Sequence, residues 1–164
     1  MRNLRKPIKT AKIKTPLGIA FLEGDENGLR TIRISDEEGT DFPEISPILQ
    51  PAAKQLKEYF SGERTEFDLK LNPQGTEFQK KVWLELQNIP FGSTTSYLEL
   101  SRKIGDEKAI RAVAAANGKN PLWIIIPCHR VIGNDGSLTG YAGGLHRKKW
   151  LLDFENPPAQ QSLF

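Results

Sequence analysis

The chain has 164 residues, enough for one ordinary compact domain or two small ones, and at 38% hydrophobic and 26% charged it has the balance of a soluble globular protein. A single cysteine excludes an internal disulfide, two histidines make a Cys/His zinc site implausible, and no apolar run reaches membrane-spanning length. The net charge of +3 is unevenly spread: residues 1–14 carry six basic and no acidic side chains, residues 15–74 six basic and twelve acidic, and residues 75–150 eleven basic and six acidic. A modest basic face on the second half is compatible with phosphate binding and equally with a solvated surface. No secretory h-region follows the basic start, so a free thiol points to the reducing cytoplasm.

The first fourteen residues are expected to be partly frayed, with Lys9 to Lys14 alternating as an edge strand. Thr15-Pro16-Leu17-Gly18 reads as a turn. Ile19 to Leu22 and Leu29 to Ile34 follow as two strands, joined through Gly24 to Gly28 with the Asn27-Gly28 pair typical of hairpins. The acidic, proline-bearing residues 35–47 read as a loop. Pro51 to Phe60 is a predicted helix with proline in its first turn and Leu56, Tyr59 and Phe60 on one side, and Gly62 stops it. Phe67 to Leu71 is a predicted returning strand. This half, a small sheet with one helix, carries no evident chemistry.

Asn72-Pro73-Gln74-Gly75 reads as a domain junction, which sets units at 1–74 and 75–156 and leaves 157–164 as a flexible, proline-led tail. Thr76 and Gln79 are spaced as a capping box for a helix running to about Asn88, with Phe78, Val82 and Leu86 on one face. Pro90-Phe91-Gly92 breaks it. A second box, Ser96 with Glu99, opens a helix to Ile104 that Gly105 stops. Asp106 caps a third helix, Glu107 to Ala116, ended by Asn117-Gly118. Helix, glycine turn and helix suggest a helix-turn-helix. The third helix is rich in alanine (Ala109, Ala112, Ala114, Ala115, Ala116). It has few long side chains to read a major groove, and suits either close helix packing or the minor groove, only about 6 Å wide.

Leu122 to Ile126 is an unbroken apolar run with three consecutive isoleucines and reads as a strand buried on both faces, closed by Pro127. It delivers Cys128 to the edge of a core, followed directly by His129 and the cation Arg130. A thiol attacks only as thiolate, and imidazole and nearby cations promote that form. Strand neighbours point to opposite faces, so a Cys-His pair needs either a bend after Pro127 or a relaying water. A lone buried cysteine is also a common small hydrophobe.

More than adjacency decides between these. Ile126-Pro127-Cys128-His129-Arg130-Val131 resembles the active-site signature of the methylated-DNA–protein-cysteine methyltransferases, the O6-alkylguanine-DNA alkyltransferases. Arg111-Ala112-Val113 and Asn120-Pro121 upstream match the same family in order and spacing, as do Gly140 to Leu145, Lys148, Trp150-Leu151-Leu152 and Glu155 downstream. The resemblance implies a mixed α/β protein of the α+β kind. It would have a ribonuclease-H-like first domain and a winged-helix-like helix-turn-helix second domain that carries Cys128.

The same resemblance implies irreversible, single-turnover transfer of an alkyl group from O6-alkylguanine in double-stranded DNA, and leaves open whether O4-alkylthymine is also a substrate. Cys128 would be the acceptor, His129 would take its proton through water, Glu155 would orient His129, and Lys148 would add positive charge. Tyr97 would give a proton to the departing base. Reaching the lesion requires base flipping from the minor groove. Arg111 would fill the vacated stack, with Ala112 beside it, and Asn120 would tie the helix-turn-helix to the active-site strand. Arg130 is expected among the DNA-binding residues, with Tyr141, Ala142 and Gly143 forming the loop that holds the flipped base. Ala142 stands where some relatives have serine, which bears on substrate range. No cofactor and no metal are expected, and a monomer is.

The tail ends Gln160-Gln161-Ser162-Leu163-Phe164, similar to the short peptides with which bacterial repair proteins dock on the sliding clamp. The rival readings are a lesion sensor without chemistry, a helix-turn-helix regulator and a cysteine hydrolase.

Overall fold

The computed structural model describes residues 7–158. The chain divides into two compact units, Met1–Gln74 and Gly75–Phe164. Each has its own reason to fold.

In the first unit, β1 (Lys9–Thr15), β2 (Gly18–Asp25) and β3 (Gly28–Ser35) form an antiparallel sheet in sequence order. Register places Ala11 opposite Leu22, Ile13 opposite Ala20, and Leu22 opposite Ile32, so the period-2 apolar residues share one face. Helix α1 (Gln50–Phe60) buries Ala52, Ala53, Leu56 and Tyr59. The strand expected over Phe67 to Leu71 is not one. Leu71 makes a single parallel bridge to Leu29, fixed by the Leu29 amide on the Lys70 carbonyl and the Asn72 amide on the Leu29 carbonyl. Lys70 and Leu71 lie so close to Gly28 that a Cβ there would sit 2.9 Å from the Lys70 carbonyl oxygen.

The second unit is built on α2 (Glu77–Leu86), α3 (Tyr97–Ile104) and α4 (Ile110–Gly118), which pack pairwise. Thr76 and Gln79 form the full capping box. At Ser96 only half of one forms: its hydroxyl accepts from the Glu99 amide at 3.1 Å, while the Glu99 carboxylate pairs with Arg102. Gly105 ends α3 at φ 107°, a left-handed cap that favours glycine. A 3-10 turn, Glu107–Ala109, capped by Asp106, leads into α4. Two short strands, β4 (Thr95–Ser96) and β5 (Val131–Ile132), pair in parallel beside the helices. The last element is α5 (Leu145–Glu155).

The run Leu122 to Ile126 is buried as expected but is not a strand. The Ile126 amide bonds the Leu122 carbonyl at 3.0 Å and the Ile125 amide bonds the Trp123 carbonyl at 2.9 Å, across an Ile124 at φ 75°. Ile124 is the one non-glycine with positive φ among the described residues. The partners a strand would need come from the Asn120 side chain, which accepts from the Leu122 amide at 2.9 Å and donates to the Ile126 carbonyl at 2.7 Å. A continuous apolar run reports burial, and the local amide decides the conformation.

Among the described residues no helix is long and apolar enough to cross a membrane. The expected start at residues 1–6 and the tail residues Gln160, Leu163 and Phe164 lie outside the described part.

Candidate active site

Two tight turns in succession present the cysteine. After the turn at Ile124, Pro127 takes φ −81° and ψ 63°, an inverse γ-turn closed by the Cys128 amide on the Ile126 carbonyl at 2.8 Å. Cys128, His129 and Arg130 then form a 3-10 turn, so the chain does bend after Pro127. Cys128 is 5% exposed and His129 fully buried.

His129 Nε2 lies 2.8 Å from Glu155 Oε2. Arg130 donates to the same carboxylate twice, from Nε at 2.7 Å and Nη2 at 2.8 Å, and its Nη1 donates to the Ile89 carbonyl at 2.7 Å. Burial by itself would raise the Glu155 pKa, but the hydrogen bonds from His129 and Arg130 outweigh it and bring it down to about 2. A carboxylate only accepts, so Nε2 carries the ring proton and Nδ1 is an acceptor. Nδ1 is buried with no hydrogen-bond partner in the protein. Burial lowers the His129 pKa against the pull of Glu155, so the imidazole is neutral at rest.

Burial pushes the Cys128 thiol up to about 11, and a hydrogen bond from Asn120 and the charge of Lys148 recover only part of the shift. The resting cysteine is therefore a thiol. Lys148, fully buried on α5, donates to the carbonyls of Val131 at 2.6 Å, Thr139 at 2.8 Å and Gly140 at 3.3 Å. Burial lowers its pKa to about 8, so it remains charged at neutral pH. Tyr97 donates its hydroxyl to the same Thr139 carbonyl at 3.0 Å, and burial raises its pKa.

Beside Tyr97 opens a cleft of about 520 Å³, lined by Arg111, Ala114, Asn134, Thr139 and Gly140. That volume lies within the usual range for a small-ligand pocket. Arg111 and Ala112 are exposed on α4. Tyr141 packs against Trp123 with ring centroids 5.7 Å apart, and burial raises its hydroxyl pKa well above the ordinary value. Ala142 is exposed. At Gly143 a Cβ would sit 2.8 Å from the Tyr141 ring and 2.9 Å from the Trp123 ring, so the loop closes only with glycine there.

The fold thus brings Cys128, His129, Arg130 and Glu155 together, with Asn120 and Lys148 against the thiol and Tyr97 beside Lys148. It keeps Arg130 away from the surface expected for a DNA contact: the residue is 5% exposed and its donors go to Glu155 and Ile89. Among the described residues no cluster of three or more His, Cys, Asp or Glu side chains could hold a metal.

The 6-O-methylguanine DNA methyltransferase family matches in both its parts, the DNA-binding domain over residues 77–157 and the ribonuclease-like domain over residues 8–73. The methylated-DNA–protein-cysteine methyltransferase of Methanosarcina acetivorans is 47% identical over 150 residues, covering 88% of this chain and 96% of that protein. That of Mycolicibacterium paratuberculosis is 45% identical over 163 residues, covering 96% and 99%. The chain belongs to this methyltransferase family. Among solved structures, the O6-methylguanine methyltransferase of Mycobacterium tuberculosis superposes with a TM-score of 0.80 at 44% identity, over 96% of this chain and 99% of that one. The same organism's OGT in complex with DNA gives a TM-score of 0.79 at 45% identity, over 88% and 90%.

Two further side chains meet the candidate site without a motif to mark them. Asn117, a helix stop by sequence, is buried, and its Nδ2 reaches the Cys128 carbonyl at 3.4 Å. The available signal was its spacing of four from Val113, which puts an amide on the core face of α4. Arg147 was not singled out, and its buried guanidinium donates to the Gly143 carbonyl at 2.9 Å.

Proposed function

We propose that the protein repairs DNA by moving the alkyl group of O6-alkylguanine irreversibly onto Cys128 Sγ, once per molecule. The observation that carries this is the neutral, fully buried His129 whose Nε2–H is spent on Glu155 and whose Nδ1 is left as an acceptor, one residue from a buried thiol. As the reaction proceeds, Nδ1 takes the thiol proton through a water, and the imidazolium so formed is stabilised by the Glu155 carboxylate. The sulfur electron pair forms a bond to the alkyl carbon, and the C–O6 bond breaks with its pair going to the base. Tyr97 gives its proton to the guanine ring nitrogen that gains charge, and solvent returns the proton from His129 to Tyr97. The product is a thioether and a normal guanine.

Lys148 supports the site twice, by its charge toward the sulfur and by gathering the carbonyls of Val131, Thr139 and Gly140. Arg130 is assigned a positioning role, since its two bonds hold Glu155 for His129. The small exposed face of α4 supports the minor-groove reading, with Ala112 against the backbone and Arg111 entering the stack as the base flips. Tyr141, Ala142 and Gly143 close over the flipped base, and Asn120 locks α4 to the turn before Cys128. The unit 75–156 carries both DNA binding and transfer, the protein acts as a monomer without cofactor, and a reducing cytoplasm keeps Cys128 a thiol. Gln160, Leu163 and Phe164 dock on the sliding clamp. Deleting Gln160 to Phe164 should end co-elution with the clamp and spare transfer on short DNA; a full-length protein that never binds the clamp removes this part of the reading.

Intact mass after incubation with an oligonucleotide bearing one O6-methylguanine tests the main reading. One methyl per protein, mapped to Cys128 and absent in Cys128→Ala, is expected. Lesion binding without any mass shift would replace the repair reading by that of a sensor.

A further inference from the structure

Asn117 lies on the buried face of α4 with Val113 and Ala116, 3% exposed, while Arg111, Ala112 and Ala115 on the same helix are exposed. Its Nδ2 donates to the Cys128 carbonyl at 3.4 Å, and its side chain also bears on the Tyr97 hydroxyl, working against the rise in that group's pKa. Its Oδ1 is buried with no hydrogen-bond partner in the protein. An amide kept only for stability would have both ends satisfied, because a buried polar atom without a partner is destabilising. A leucine of nearly the same shape would remove that penalty. The amide bonds the nucleophile's backbone and bears on the proposed acid.

We infer that Asn117 is a positioning residue of the transfer reaction, acting through Tyr97 and Cys128 and tying both to the DNA-facing helix. The inference rests on the reading of Cys128 as alkyl acceptor and Tyr97 as proton donor. The Tyr97 hydroxyl spends its proton on the Thr139 carbonyl at rest, and an Asn117 amide turned toward its oxygen fixes that proton as the one it offers, first to Thr139 and then to the base. Because Asn117 and Arg111 share one short helix, a push on α4 by bound DNA reaches the acid and the nucleophile together.

The test is single-turnover methyl transfer from O6-methylguanine DNA by Asn117→Leu and the milder Asn117→Ser, each also made with Tyr97→Phe, alongside lesion-DNA affinity and melting. Asn117→Leu is expected to melt no lower than the unmutated protein, or about 2–4 °C higher, to bind lesion DNA as tightly, and to transfer about tenfold more slowly. Asn117→Ser, which keeps a donor, should fall between. The rate cost should shrink on the Tyr97→Phe background, because coupled groups are not additive. A normal rate in Asn117→Leu, an equal cost on both backgrounds, or a loss of rate that tracks a fall in melting temperature or a failure to fold would overturn the inference and leave alkyl transfer standing. No transfer by the unmutated protein would overturn both.

Discussion

Helices α1 and α5 are each eleven residues long, and they bury opposite kinds of surface. Helix α1 buries Ala52, Ala53, Leu56 and Tyr59. Helix α5 buries Arg147, Lys148, Leu151 and Glu155, three charged side chains of four. The first is held by apolar area withdrawn from water. The second is held by hydrogen bonds that each charge finds at a specific atom: Lys148 on three carbonyls, Glu155 on His129 and Arg130, Arg147 on Gly143. Burying charge in this way is weak evidence for stability and a pointer to a functional site. Helix α1 answers to packing, whereas α5 answers to chemistry.

Substitutions should separate the two. Glu155→Gln, the most damaging to function, leaves the Arg130 guanidinium buried without a countercharge and removes the stabiliser of the His129 cation. Transfer should fall about 10²-fold or more, with roughly 3 kcal/mol of stability lost in urea unfolding. Lys148→Met removes three hydrogen bonds to carbonyls and the charge facing Cys128, and transfer should fall about tenfold in a single-turnover assay. Its melting temperature should move little, since the ammonium is held there against its own desolvation. On the other helix, Leu56→Ala should lose about 2–5 kcal/mol of stability while each folded molecule still accepts one methyl at the normal rate. A transfer defect in Leu56→Ala at temperatures where it is folded would erase the distinction.

Acid sharpens the contrast further. Glu155 has a folded pKa of about 2 against 4.5 in the unfolded chain, so its contribution is fully present above about pH 4.5 and is lost as pH falls through about 2. His129, held below its usual 6.5, adds in the same direction, starting as pH falls below 6.5. Unfolding measured across this range should lose a few kcal/mol, and Glu155→Gln should flatten the lower part of that slope.

The same contrast explains what could be read from sequence. Thr76 and Gln79 signalled their helix because a capping box is a local device, and Asn27-Gly28 signalled its hairpin for the same reason. Helix α1 shows its face in its apolar spacing. Helix α5 gives no such spacing, since its buried stripe is charged, and a pattern of apolar residues cannot reveal it. The run Leu122 to Ile126 reads as a strand because three isoleucines fit a buried strand, while a neighbouring side chain, Asn120, sets the turn instead. Arg130 looked like a surface cation because sequence does not tell which charge will meet Glu155. Motif order names the candidate site residues, and only the hydrogen bonds show which of them the fold brings together.

Whether His129 deprotonates a neutral thiol within the reaction is read from the single-turnover transfer rate as a function of pH. With His129 as the base, the rate rises only until the imidazole is neutral, below pH 6.5, and stays level from there through neutral pH. A rate that climbs about tenfold per pH unit toward 11 would mean that only preformed thiolate reacts, and would contradict the Glu155–His129–Cys128 relay.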